Sequence, residues 1–195
     1  LARELKLTAK LLTLDDRNFH CWTYRRFVAS AMGVPAEDEA AYSLSKINAN
    51  FSNYSAWHYR SVLLPRVHPP ADLAAVLCDE LQLLRNAFYT SPEDQSAWFY
   101  HRWVLGQLEP VHGRCCLPEE DWRTLLGDEL AMIDELLGLE PDCKWPLATA
   151  ALLRSVLGGV DPSVSDEQLR NLVRVDPMRR RMYEEQLQHR ALGGS

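Results

Sequence analysis

The chain has 195 residues, 47% of them apolar and 25% charged, a globular composition of a length that suits one domain or two small ones. Its 21 Lys and Arg against 27 Asp and Glu leave a formal charge of −6, which argues against a general nucleic-acid binder, whose domain is basic. No apolar stretch approaches the roughly 20 residues of a membrane span, so no membrane insertion is expected. Five cysteines without a C-x-x-C pair suit a reducing compartment such as the cytoplasm.

The chain opens on LARELKLTAK, with neither an initiator Met nor an apolar signal core, and reads as a fragment or a trimmed chain. An amphipathic stretch over 4–14 leads into NFHCWTYRRFVA, starting at Asn18. A second over 39–47 leads into NYSAWHYRSVLL from Asn53, and a third over 77–88 into DQSAWFYHRWVL from Asp94. In each frame a side chain that caps helices stands four residues before a tryptophan, Trp22, Trp57 or Trp98. Tyr24, Tyr59 and Tyr100 follow two residues after it, and then come Arg25-Arg26, Arg60 and His101-Arg102. In the first frame Cys21, Tyr24 and Val28 share one helical face, while Trp22 and Ala29 share another. Such a helix is buried from two sides, as the inner helix of a stacked array is.

Val67-His68-Pro69-Pro70 reads as a lengthened connection between helices, and residues 109–121 as a long loop. Trp145 reads as the tryptophan of a fourth, degenerate frame, followed by Pro146 and by no arginine. Stretches 128–139 and 166–175 have the outer-helix pattern, and a last charged helix runs from Asp176-Pro177 to Arg190. With tryptophan spacings of 35, 41 and 47 residues and no sustained period-2 alternation, the expected fold is all-α, an antiparallel helical-hairpin repeat array. One domain spans 1–192, with hairpins near 1–32, 37–66, 72–107, 119–158 and 164–192, and 193–195 is a tail.

Two readings of the repeated residues stand side by side. In the first, Trp22, Trp57, Trp98 and Trp145 wedge between hairpins, Arg25, Arg26, Arg60 and Arg102 pair with acids, and Asn18, Asn53 and Asp94 cap helices. In the second, the arginines face an acidic partner or a phosphate, and the edge of Arg17, Asn18, Phe19, His20, Asn53 and Tyr54 meets a partner or substrate. Trp57 is expected to be a core wedge and Arg60 to sit in a partly exposed pair. His58 and His101 are expected to pack or hydrogen-bond. Adjacent thiols such as Cys115-Cys116 near His112 rarely share one metal ion. No nucleophile triad and no glycine-rich phosphate loop is present, so the chain alone is expected to be inert and free of zinc.

RNFHCWTYRRFVA, NFSNYSAWHYRSVLLP, DQSAWFYHRWVLG and the late VDPMR resemble the protein prenyltransferase α-subunit family over about 1–192, most strongly over 14–106, and within it the Rab-directed branch. The resemblance implies a crescent of hairpins around a β subunit that holds a catalytic zinc and the isoprenoid funnel, with no cofactor on this chain. It implies transfer of geranylgeranyl from its diphosphate to C-terminal cysteines of Rab GTPases, presented by the Rab escort protein. The branch shared by farnesyltransferase and type I geranylgeranyltransferase is the alternative. A tetratricopeptide-like scaffold is the alternative from another class, disfavoured because its repeat follows a different Trp-Leu-Gly-Tyr-Ala pattern. The family has earlier repeats with a diphosphate-binding lysine, which no residue here inherits, so N-terminal repeats are expected to be lacking. Animal members of this branch carry an immunoglobulin-like insertion and leucine-rich repeats, of which only the loop over 109–121 remains. The chain is therefore expected to be a compact, non-animal version or a fragment.

Overall fold

The computed structural model describes residues 1–115, 117–158 and 162–191, apart from the side chains of Pro162, Arg190 and Ala191. Among them are α1 (Ala2–Leu14), α2 (Phe19–Met32), α3 (Ala36–Ala49), α4 (Tyr54–Val67), α5 (Pro70–Thr90) and α6 (Gln95–Leu108). There follow α7 (Glu119–Leu139), α8 (Lys144–Leu157), α9 (Pro162–Val175), a 3-10 turn at Pro177–Arg179 and α10 (Arg180–Ala191). No strand occurs among the described residues, and successive helices pair as hairpins: α1 with α2, α3 with α4, and so on to α9 with α10. The fold is all-α and built of helical repeats. The chain divides into two compact units, Leu1–Cys116 and Leu117–Ser195. Cys116 and the tail at 193–195 lie outside the described residues.

In the first unit the repeated frame builds each inner helix in the same way. Asn18 and Asn53 accept from the amides of Cys21 and Ala56, both at 3.0 Å, and Asp94 accepts from Ser96 at 2.8 Å. These bonds satisfy amides that a helix start leaves free. Four residues on, the indole Nε1 of Trp22, Trp57 and Trp98 donates to the carbonyl six residues back, of Asp16, Phe51 and Pro92, each at 2.8 Å. All three rings are buried, so each tryptophan fills the core and pins the preceding turn. At the end of α2, Gly33 takes φ 65°, a left-handed cap that a residue without Cβ adopts at no steric cost.

The arginine three residues after tryptophan turns inward. Arg25 grips Glu39 of the next hairpin through Nε at 2.9 Å and Nη2 at 2.5 Å. Arg60 grips Glu80 through Nε at 2.7 Å and Nη2 at 2.6 Å, and its Nη1 reaches the Ala40 carbonyl at 3.1 Å. The tyrosine of each acid's own hairpin completes the cluster. Tyr100 Oη donates to Glu80 at 2.8 Å, and the Tyr59 hydroxyl lies beside the Glu39 carboxylate. Burial first, and the adjoining carboxylate second, push both tyrosine hydroxyls far above their ordinary range, which keeps them donors at any ordinary pH. The Arg25 guanidinium also lies 3.4 Å from the centre of the Tyr42 ring, a cation–π contact.

Three further features depart from the expected pattern. Pro69 and Pro70 do not lengthen a connection: α4 runs to Val67, Pro69 stands just before α5 and Pro70 is its first residue, where a missing N–H costs nothing. The wider 41-residue spacing is taken up by helix, since α5 has 21 residues against 14 in α3. In the second unit α8 starts after Cys143, so Trp145 is its second residue, whereas Trp22, Trp57 and Trp98 are the fourth of theirs. Leu147 holds the fourth place and packs with Leu169, Leu172 and Tyr183, while Trp145 is only half-buried, with the Arg179 guanidinium 5.2 Å from its ring. That core also encloses Asp176, which accepts from Tyr183 Oη and Arg179 Nη1, both at 2.9 Å.

Arg60 is therefore buried, not partly exposed. Trp57→Ala removes a fully buried ring and is expected to cost about 3–5 kcal/mol. Arg60→Ala leaves the Glu80 carboxylate buried with Tyr100 alone, and about 3–5 kcal/mol is expected there too. Urea denaturation of the two variants checks this, and a loss below about 1 kcal/mol for Arg60→Ala, the range of an exposed pair, would contradict the buried pair.

Candidate functional site

The arginine that follows one residue later turns outward. Arg26 and Arg102 are exposed, because one step in a helix rotates a side chain by about 100°. Arg26 lies 5.9 Å from the centre of the Tyr59 ring, and Phe27, one residue on, is 63% exposed. Arg26, Phe27, Thr23, Tyr59, Val62 and Arg66 line a cleft of about 410 Å³ between α2 and α4.

At the helix starts, Phe19 and Tyr54 are 61% and 51% exposed. Phe19 lies beside His20, ring centres 4.2 Å apart, and Tyr54 beside His58 at 6.1 Å and Phe99 at 6.3 Å. Arg17 and Asn18 are exposed on the same edge. Asn53 is not available to a partner: it is wholly buried, and its Nδ2 donates at 2.8 Å to the Asp16 carbonyl that also accepts from Trp22. Its amide spans two hairpins, so its place is within the array. Asp94, in the same position one hairpin on, is held below the usual carboxylate range. Burial opposes this, but hydrogen bonds from Ser96 and Ser52 outweigh it, and the charge of Arg17 adds to them.

Exposed rings and aliphatic side chains flanked by arginine heads line this face, residue types that are enriched at interface anchors. Among the described residues no three His, Cys, Asp or Glu side chains gather where they could hold a metal ion. His112 is exposed and 3.4 Å from Glu109, and Cys115 Sγ donates to the Gln107 carbonyl at 3.2 Å. No helix among the described residues is long and apolar enough to cross a membrane. Phe27, His58, Val62 and Phe99 were not singled out for this surface from the sequence, although their places, one and five residues after tryptophan, follow from the frame.

His58 reports on this face. Partial burial, and secondly the charge of Arg26, hold its imidazole below the ordinary value, which is about 6.5. The unfolded chain then binds the proton more tightly, so this group's contribution to stability falls as pH drops through 6.5 toward the folded pKa. An NMR titration should place the midpoint below that of a histidine peptide, and Arg26→Ala should raise it. A midpoint unmoved by Arg26→Ala would remove Arg26 from the face of His58.

The protein prenyltransferase alpha subunit repeat matches residues 1–32, 36–67 and 77–108, the three hairpins of the first unit, and leaves the added first turns of α5 outside the third match. Geranylgeranyl transferase type-2 subunit alpha of Sus scrofa is 56% identical over 123 residues, covering 60% of this chain and 22% of that protein. The proteins of the same name from Dictyostelium discoideum and Schizosaccharomyces pombe are 40% and 33% identical, covering 93% and 92% of this chain and 57% and 59% of their own lengths. The chain thus spans about a fifth of the mammalian relative and under two thirds of the other two. These identities give no support to a non-animal version. With the repeat found in three consecutive hairpins and relatives of one name aligned over more than nine-tenths of its length, the chain belongs to the protein prenyltransferase alpha subunit family.

Proposed function

We propose that this chain is the α-subunit part of a Rab geranylgeranyltransferase and that the outward face of α2, α4 and α6 is where it holds its β subunit. The observation that carries the reading is the exposed row of Phe19, Phe27, Tyr54, Val62 and Phe99, interleaved with Arg26 and Arg102, on the same three hairpins that match the family's repeat. Aromatic and arginine side chains in such a row are the usual anchors of an interface. Membership of an α-subunit family itself implies a β partner.

The division of labour is the one that the family resemblance implies. Activation of the acceptor cysteine is assigned to the β subunit, and no described cluster of His, Cys, Asp or Glu on this chain speaks against that. Its own residues bind and position. Arg17, Phe19, His20 and Tyr54, exposed at the helix starts, are the proposed edge for substrate or partner, and the rest of the face supports a partner. The substrate class proposed is Rab GTPases delivered by their escort protein, in the cytoplasm, because all three relatives described above are type-2 subunits.

Co-expression with a type-2 β subunit, followed by pull-down and a geranylgeranylation assay on Rab with escort protein and on a CaaX acceptor, tests the reading. A stable complex is expected, with transfer to Rab alone and zinc that stays with β when the subunits are separated. Phe27→Asp is expected to weaken the complex by about tenfold or more, and His20→Ala with Tyr54→Ala to lower turnover while helicity is kept. Pairing instead with a farnesyl-type β subunit and transfer to the CaaX acceptor would overturn the Rab assignment, and one tight zinc on the isolated chain would overturn the division of labour.

A further inference from the structure

The cleft between α2 and α4 carries two cations that the repeat does not call for. Arg26 stands four residues after its tryptophan and Arg66 nine after its own, and both line the cleft. At the place of Arg26, α4 has Ser61. At the place of Arg66, α2 has Ala31 and α6 has Gln107. Hairpins therefore stack without a charge at either place, and the core does not explain the two arginines.

Both guanidiniums are exposed, and among the described residues no carboxylate pairs with either. The carboxylate that lines the cleft, Glu39, is 3% exposed and already held by Arg25 through two hydrogen bonds. Arg26 is steadied by the buried Tyr59 ring, 5.9 Å from its centre, which spares part of the cost of ordering it on binding. Two like charges on one cleft repel each other. A carboxylate entering between them relieves that repulsion and takes charge-assisted hydrogen bonds from both. Beside the arginines, Phe27 of α2 and Val62 of α4 are 63% and 39% exposed, one apolar side chain from each helix.

We infer that this cleft receives an acidic side chain of the β subunit, an Asp or Glu carried beside an apolar residue. The carboxylate sits between Arg26 and Arg66, and the apolar neighbour covers Phe27 and Val62. The inference rests on the reading that this face holds the β subunit, and adds the chemistry of the segment that enters it. An inorganic anion meets the two guanidiniums but leaves Phe27 and Val62 in water, so the occupant has both parts. A chain of formal charge −6 repels an acidic partner at long range, so such a segment is held where guanidiniums gather, which fixes the register of docking. Water driven from the cleft on docking strengthens these pairs beyond what an exposed ion pair gives.

The test uses the complex of the chain with a type-2 β subunit, with circular dichroism to show that every variant remains helical. Arg66→Gln is expected to weaken β binding by about tenfold or more and to flatten its dependence on salt concentration. Arg3→Gln, at an exposed arginine of α1, is expected to leave it within about twofold. Arg26→Gln together with Arg66→Gln should lose less than the sum of the two single losses, because both arginines grip one carboxylate. Arg66→Lys keeps the charge and supplies an amine. A carbodiimide, which condenses an amine with a carboxylate in contact to form an amide, should then join position 66 to one Asp or Glu of the β subunit, identified by mass spectrometry. A complex that forms equally well with Arg66→Gln and gives no such link overturns the inference and leaves the reading of the face standing. No complex with the unaltered chain overturns both. Inorganic phosphate bound by the chain alone through Arg66, with β binding indifferent to Arg66→Gln, makes a free anion the occupant and also overturns the inference.

Discussion

Glu39 and Glu80 are carboxylates buried to more than nine-tenths, and a charge taken that far out of water must be matched by an opposite charge and by hydrogen bonds to its remaining lone pairs. In this chain the match comes from two directions. The tyrosine belongs to the acid's own hairpin and the arginine fork to the hairpin before it. Satisfying both at once leaves little freedom in how one hairpin sits on the next. Apolar contacts around Leu63, Leu77 and Leu84 supply the drive to associate, but apolar contact is non-directional. The arginine–glutamate–tyrosine cluster supplies the direction.

That constraint also shapes the outer surface. Because the residue three after tryptophan is committed to the interior, the residues at one, four and five after it face away. The rows of Thr23, His58 and Phe99 and of Phe27 and Val62, together with Arg26 and Arg102, are thus set by the frame that builds the core. One short motif specifies an inner cluster and an outer face of exposed rings and arginines, with the tryptophan pinning the turn between them. The outer face then presents rings at intervals fixed by hairpin stacking.

Much of this was legible in the amino acids. Tryptophans in matching frames, capping Asn and Asp residues ahead of them and the absence of period-2 alternation led to a hairpin array, because each signal is local and repeated. Partnership across hairpins was harder to read. Glu39 follows Glu37 and Asp38 and looks like one acid of a solvated first turn, and only its spacing to Asn53, shared with Glu4 and Glu80, sets it apart. Without that acid, Arg60 has no evident buried partner and reads as half of a partly exposed pair. Asn53 was read with Asn18, since both cap helices; the second bond of Asn53, to the Asp16 carbonyl, depends on a neighbouring hairpin that the local frame does not reveal. Trp145 misled because side-chain identity was followed instead of distance from the helix start, where Leu147 takes the tryptophan's place. The paired prolines stop α4 as expected, yet they also start α5, since proline suits the first turn of a helix as well as the break before one.

The claim that a buried ion pair orients the stack is tested most directly by a double-mutant cycle between Arg60→Met and Glu80→Gln, the amide keeping an acceptor for Tyr100. Arg60→Met alone leaves an uncompensated buried carboxylate and is predicted to be strongly destabilising, by about 3–5 kcal/mol. Adding Glu80→Gln removes that charge, and the double variant is predicted to be more stable than Arg60→Met alone, with a coupling of at least about 1.5 kcal/mol. A double variant that simply loses the sum of the two single losses would contradict it.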